Sequence, residues 1–203
     1  MRETSGVAPP PTAATTPFEG GHPALELVNT IWGQVGGPVE HDVLNAPEDL
    51  LTLSRRLGFA DAQTPVSSGA LDDARALRTV LDTVLRARAA GDDAPADALS
   101  ALTERVRDAF RAGRLTRDGS ALAWRWDPHE DHTPVHRFAH AALELVTDEA
   151  ELARLHQCEG CCWLFVDHSR GAGRRWCSMA YCGTEAKKRR YVQRRRERRR
   201  AAT

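Results

Sequence analysis

The sequence predicts a mainly α-helical protein with a small β-hairpin component, an α+β fold. A helical N-terminal body is followed by a small C-terminal hairpin-and-helix module. Three observations predict it. Apolar residues recur at helical spacing in four windows between residues 45 and 147, bounded by prolines and serines at their starts and mostly by glycines at their ends. Residues 114–126 alternate instead, and Asp118-Gly119, a hairpin-turn dipeptide, divides them. Composition then changes near residue 156, where all five cysteines fall within 25 residues and a run of arginines follows.

Residues 1–17 are rich in Pro, Thr and Ala with almost no large apolar group, and read as a disordered leader. Gly20-Gly21-His22-Pro23 reads as a turn, and Ala24 to Thr30 as a short element, helix turn or strand. Asn45 is placed to cap a helix with Pro47 inside its start, Gly58 past its end, and Leu50, Leu51, Leu53 and Leu57 on its apolar face. Ser67 or Ser68 caps a longer helix that presents Leu71, Ala74, Leu77, Leu81, Val84 and Leu85 and stops at Gly91. Pro95 opens a third, with Leu99, Leu102, Val106, Ala109 and Phe110 inward and Gly113 closing it. The hairpin comes next, with Trp124 and Trp126 on one face, placed in the core. Pro134 starts a fourth long helix, with Val135, Phe138, Ala139, Ala142, Leu143 and Val146 inward, and a short helix or turn spans Asp148 to Leu155. The body is thus assigned to residues 18–155 and the module to 156–203.

A net charge of zero hides a division. Residues 1–150 hold 14 Lys and Arg against 23 Asp and Glu, a net of −9; residues 151–203 hold 14 against 5, a net of +9. An acidic body and a basic tail point to a polyanionic partner for the tail, or to attraction between the two halves that masks it. No basic segment followed by an apolar run opens the chain, and no apolar stretch nears the ~18 residues that span a bilayer, so no signal peptide and no membrane partner are expected. Arg outnumbers Lys 26 to 2 and Ala is abundant, as a GC-rich bacterial genome would encode. The expected compartment is the bacterial cytoplasm, where clustered cysteines bind metal rather than pair as disulfides.

Four cysteines form two close pairs, Cys158/Cys161 and Cys177/Cys182. A tetrahedral zinc site takes two ligands from each of two tight turns, and the C-x-x-C spacing is the usual knuckle. The expected cofactor is one structural Zn²⁺ held by these four residues. A site with four sulfurs has no open position, so it folds the segment rather than catalysing. Cys162 could replace Cys161, though spacing favours Cys161; His156 and His168 rank below both. Residues 162–166 and 174–176 are expected as two short strands joined by a turn, with the second cysteine pair at the start of a basic helix that favours thiolate.

From Lys187 to Arg200, ten of fourteen residues are Lys or Arg, and Glu197 is the only acid. Charge on every face rules out amphipathic packing and suits a phosphate backbone. Arg174, Arg175, Lys187, Lys188, Arg189, Arg190, Arg194 and Arg195 are the candidate nucleic-acid contacts. DNA is favoured, and RNA stays open because Arg-rich segments also fold on RNA.

With these residues in view, the chain resembles bacterial proteins that join an ABATE domain to a CGNR-type zinc finger, regarded as stress-induced transcription regulators. Two blocks carry the resemblance. One runs Gly21-His22-Pro23-Ala24-Leu25-Glu26-Leu27-Val28-Asn29-Thr30. The other runs from Cys161 to Asp167 and from Arg175 to Gly183, then Ala186-Lys187. The naming motif Cys-Gly-Asn-Arg reads Cys182-Gly183-Thr184-Glu185 here, so an acid stands where the family has an Arg. Glu26 likewise replaces the more common Asp. The resemblance implies a zinc-binding, DNA-binding regulator whose helical body senses a signal or forms a homodimer.

Neither a nucleophile elbow, a P-loop nor a dinucleotide-binding glycine pattern is present, and the reading is of a protein that is not an enzyme. An enzyme reading would put its site in the body. His22, Glu26 and Asn29 are the candidate ligand pocket there, for a substrate or an unidentified small-molecule effector. His132, His136 and His140 form a second stripe that, with Glu130 or Asp131, has metal-donor chemistry; the plainer reading is a solvent-facing polar stripe. A third reading makes the finger a module that docks an acidic protein.

Overall fold

The structure is a computed structural model and describes residues 10–171 and 173–201. Its helices form where punctuation in the chain permits. Helix α1 is Pro23–Val28, with the His22 ring accepting from the backbone N–H of Ala24. Helix α2 is Pro47–Arg56, α3 is Ser68–Ala90, capped by Ser67 and stopped by Gly91, and α4 is Ala96–Ala112, between Pro95 and Gly113. Helix α5 is Thr133–Thr147 and α6 is Glu149–Leu152, where the Asp148 carboxylate accepts from Ala150 and Glu151. Asn45 does not cap α2. Asp49 reaches back to accept from the backbone N–H groups of Asn45 and Ala46, and the Asn45 side chain turns to Asp42. A carboxylate three residues into a helix satisfies these donors better than a carboxamide because it adds charge at the dipole's positive end.

Helices α3 and α5 lie against α1, α2 and α4. The shared core contains Leu25, Leu77, Leu81, Leu85, Phe138 and Leu145, all fully buried. Each such side chain contributes about 2 kcal/mol by leaving water. Leu99 and Phe110 do not face inward as expected. Leu99 is exposed, and Phe110 lies edge-on to Trp124 at 5.0 Å, because the hairpin of β3 (Arg114–Asp118) and β4 (Ala121–Arg125) offers it a partner at the rim. Trp126 lies just beyond β4 and donates to the carbonyl of Ala109.

Two further hairpins were not expected as such. Strands β1 (Ile31–Gly33) and β2 (Val39–Asp42) pair antiparallel with an irregularity at Trp32/Gly33. Strand β5 (Leu155–Gln157) pairs antiparallel with β6 (Leu164–Val166), matching Leu155 to Val166 and Gln157 to Leu164. The expected strand at 174–176 is therefore a correction. Those residues are irregular, and β6 takes β5 as its partner. The reason is local: Asp167, fully buried, accepts from the backbone N–H groups of Ser169 and Arg174 and bends the chain out of strand geometry.

Strand β6 is buried on both faces. Leu164 and Val166 join the main core, while Phe165 joins a smaller cluster with Trp163, Cys158 and Cys177. One strand thus welds two cores, and the expected boundary between residues 155 and 156 falls inside β5. The leader reading is corrected in part. Residues 1–9 lie outside the described residues, but 10–17 pack on the body: Ala13 and Thr16 are buried, Arg56 donates to the carbonyl of Ala13, and its guanidinium lies 4.0 Å over Phe18. Cation stacking and a charge-assisted hydrogen bond offset the ordering of a segment with little apolar surface.

Candidate metal centre and nucleic-acid interface

Cys158 follows β5, Cys161 ends the knuckle, Cys177 lies in the irregular return, and Cys182 lies in a wide turn, Met179–Gly183. There the N–H of Gly183 donates to the carbonyl of Ser178, five residues back. The four sulfurs all lie within 4.8 Å of one another, with Cys161–Cys177 at 3.6 Å and Cys177–Cys182 at 3.7 Å. A tetrahedron of thiolates ~2.3 Å from a zinc ion has sulfur–sulfur edges of about 3.8 Å. The donors therefore fit zinc without rearrangement, and they are the one such cluster among the described residues.

The electrostatics agree. Hydrogen bonds from the thiols of Cys161, Cys177 and Cys182 hold Cys158 far below the usual thiol range, and the N–H groups of Gly160 and Cys177 add to this at 3.3 Å. Hydrogen bonding to Cys158 and its neighbours pushes Cys177 far up in turn. Four sulfurs this close can all ionise only around a dication. Gly160 completes the cradle: a Cβ there would stand 2.9 Å from the Cβ of Cys182.

Cys162 is not a ligand. Its thiol donates to the carbonyl of Ile31 at 3.4 Å, its N–H donates to the carbonyl of Gly33, and its own carbonyl accepts from Arg86 at 2.5 Å. His156 lies against Phe165, and His168 pairs with Glu151. The site holds a single structural zinc.

The His22, Glu26 and Asn29 triplet is brought together, but its polar atoms are spent inside the protein. His22 accepts from Ala24 as described. Glu26 accepts from the N–H of Gly20 at 3.0 Å. The Asn29 side chain donates to the carbonyl of Leu164 at 2.9 Å and accepts from its N–H at 3.0 Å. Val166 adds a bond to Gly20, and the indole of Trp163 one to Ile31. The segment from Gly20 to Gly33 is thus the strip on which the finger docks. Sequence reasoning missed this role. Its one signal was a carboxamide, Asn29, ending an otherwise apolar block. The histidine stripe does not converge either: His132 bridges Asp131 and Asp73, while His140 lies edge-on to Trp126.

Helix α7 (Thr184–Ala201) leaves the wide turn exposed over almost its whole length. Its packing is mainly on that turn. Glu185 pairs with Lys188 at 2.6 Å, so the acid in the family's Arg position serves the helix start. Arg174 and Arg175 part ways. Arg174 lies 4.7 Å over Phe165, donates to the carbonyl of Trp176 and pairs with Glu19, so it belongs to the packing between finger and body. Arg175 is exposed, paired with Glu159 and lying over Trp176. With Arg189 and Arg190 it borders a recess of about 360 Å³ at the base of α7.

Among the described residues, no helix is long and apolar enough to cross a membrane. A search of the curated proteins finds no match. Two family models do match: ABATE, described as "Putative stress-induced transcription regulator", over residues 21–149, and the CGNR zinc finger over residues 154–195. The first match contains the docking strip, and the second contains all four zinc ligands. The chain therefore belongs to the ABATE family and carries a CGNR zinc finger, which makes it a zinc-binding protein of regulator type.

Proposed function

We propose that this protein is a cytoplasmic, DNA-binding transcription regulator, not an enzyme, in which zinc holds the Arg-rich helix α7 in place to meet the phosphate backbone. One observation carries the reading. Helix α7 is anchored at its N-terminal end on the turn bearing Cys182 and presents Lys187, Lys188, Arg189, Arg190, Arg194 and Arg195 to solvent. A cationic helix fixed at one end can enter a major groove with its orientation already set, and the metal contributes that fixation. Arg175, Arg189 and Arg190 around the recess offer a seat for one phosphate. Arg174, committed to Phe165 and Glu19, is a positioning residue for the finger.

Mobility shifts of duplex DNA over a salt series test the proposal. Affinity is expected to fall steeply with salt, with a log–log slope near −0.9 for each phosphate contact. Truncation after Gly183 removes α7 and leaves the zinc core and β6 in place; binding that survives it overturns the proposal. Cutting after Gln157 would be uninformative, because it strips Leu164 and Val166 from the body's core. If binding of any DNA sequence vanishes near physiological salt, docking of an acidic protein becomes the better reading.

A further inference from the structure

A second site lies where the finger meets the body, and neither the zinc nor α7 accounts for it. Two cavities adjoin there, sharing Ile31, Val39, Asp82, Arg86 and Cys162 as walls. The inner lobe, about 240 Å³, reaches Val28, Arg78 and Thr79. The outer lobe, about 480 Å³, is roofed by the turn from Gln34 to Pro38. Together they match the size range of small-molecule pockets. Three chain segments meet in the walls: the β1–β2 hairpin, helix α3, and the residue after zinc ligand Cys161.

The chemistry of the walls is specific. The aliphatic side chains of Val28, Ile31 and Val39 make them mainly apolar. Both cations are already neutralised: Arg78 pairs with Asp42 through two 2.7 Å contacts, and Arg86 pairs with Asp82 at 2.8 Å. A charged occupant would have to break one of these pairs. Arg86 uses Nε on Asp82 and Nη2 on the carbonyl of Cys162, and its Nη1 has no hydrogen-bond partner among the described residues. One uncommitted donor in an apolar, electrically balanced wall suits an uncharged molecule with a single acceptor oxygen.

The roof points the same way. Val39 is 62% exposed and Val35 49%, although both line the outer lobe. The roof turns at Gly36, with φ +66°, in a hairpin of only two short strands. Such a hairpin is weak alone and gains by closing on an apolar partner.

We propose that this junction cavity binds a small, uncharged, mainly apolar molecule with one acceptor oxygen, and that Arg86 receives it. Because the same guanidinium holds the carbonyl of Cys162, occupancy bears directly on the zinc knuckle. The site stands independently of DNA binding by α7.

The test uses the full zinc-loaded chain and the uncharged naphthalene ketone prodan, whose emission shifts to the blue in apolar surroundings. Saturable binding of one prodan per chain is expected, displaced by 2-acetylnaphthalene and at least about tenfold less well by 2-naphthoate. Val39→Asp and Thr79→Trp, at exposed positions, are expected to weaken binding by about tenfold or more, and Leu122→Asp on the far hairpin to leave it unchanged. Bound prodan should also slow alkylation of Cys162 by iodoacetamide several-fold, read by mass spectrometry. No saturable binding, equal binding in Val39→Asp and Thr79→Trp, or unprotected Cys162 would each overturn the site. Tighter binding of 2-naphthoate would overturn the assigned ligand class.

Discussion

The side-chain amide of Asn29 pairs with both backbone polar groups of Leu164, as a neighbouring strand would, 135 residues away in sequence. Both residues are buried, at 2% and 0% exposure, so no water can replace a lost partner. Asn29→Ala is expected to leave a buried N–H and a buried carbonyl unpaired, and to cost about 2–4 kcal/mol. Chemical denaturation of the zinc-loaded protein measures it. A loss under about 0.5 kcal/mol would show that the clasp does not hold the finger to the body.

Zinc content separates the five cysteines. Purified protein is expected to hold about one zinc per chain, as the single four-sulfur cluster requires. Cys177→Ser should lose it, and Cys162→Ser should keep it, since the Cys162 thiol bonds to Ile31 outside the cluster. Elemental analysis of the three proteins decides the matter, and zinc retained by Cys177→Ser refutes the ligand set.

Glu26 makes stability depend on pH. Burial pushes its carboxyl up to about 7 from an unfolded value near 4.5, and the N–H groups of Gly20 and Gly21 offset this only in part. Between those values the native state holds a proton that the unfolded chain has released. Native stability from this group is therefore greatest below about pH 4.5, declines as pH rises toward 7, and is level above. Glu26→Gln is expected to remove that decline and to gain about 1–3 kcal/mol at pH 8. Parallel pH–stability curves for the two proteins would contradict the assignment.

Arg174 and Arg189 should fail in different ways. Arg174→Ala removes a cation stacked on Phe165 and an ion pair with Glu19, and is expected to lower stability by about 1–2 kcal/mol with an unchanged salt slope for DNA. Arg189→Ala, on exposed α7, should leave the melting temperature alone and reduce the salt slope by about one unit. Thermal melts beside salt-series mobility shifts distinguish the two, and identical behaviour would undo the division of roles.

The parts legible in the sequence were those written in local code. Ser67, Gly91, Pro95 and Gly113 mark helix ends because capping is settled within a few residues. Asp118-Gly119 marks its hairpin for the same reason. Cys158, Cys161, Cys177 and Cys182 could be assigned because coordination geometry demands particular spacings, and the sulfurs converge as expected. The misreadings share a cause as well. Residues 174–176 have strand-like composition, but Asp167 bends their backbone. Phe110 has core-like periodicity, but Trp124 holds it at the rim.

The sequence alone determined the helical body, the cysteine-rich module with its one zinc, and the split between acidic and basic halves, because each follows from composition, periodicity or spacing. Only the tertiary structure decided that the two parts are one unit. Strand β6 gives Leu164 and Val166 to one core and Phe165 to the other, and residues 20–33 bind it through the backbone. Backbone hydrogen bonds between distant segments leave no periodic trace in either segment. That is why Asn29 could be read as part of a pocket, whereas the fold uses it as a clasp.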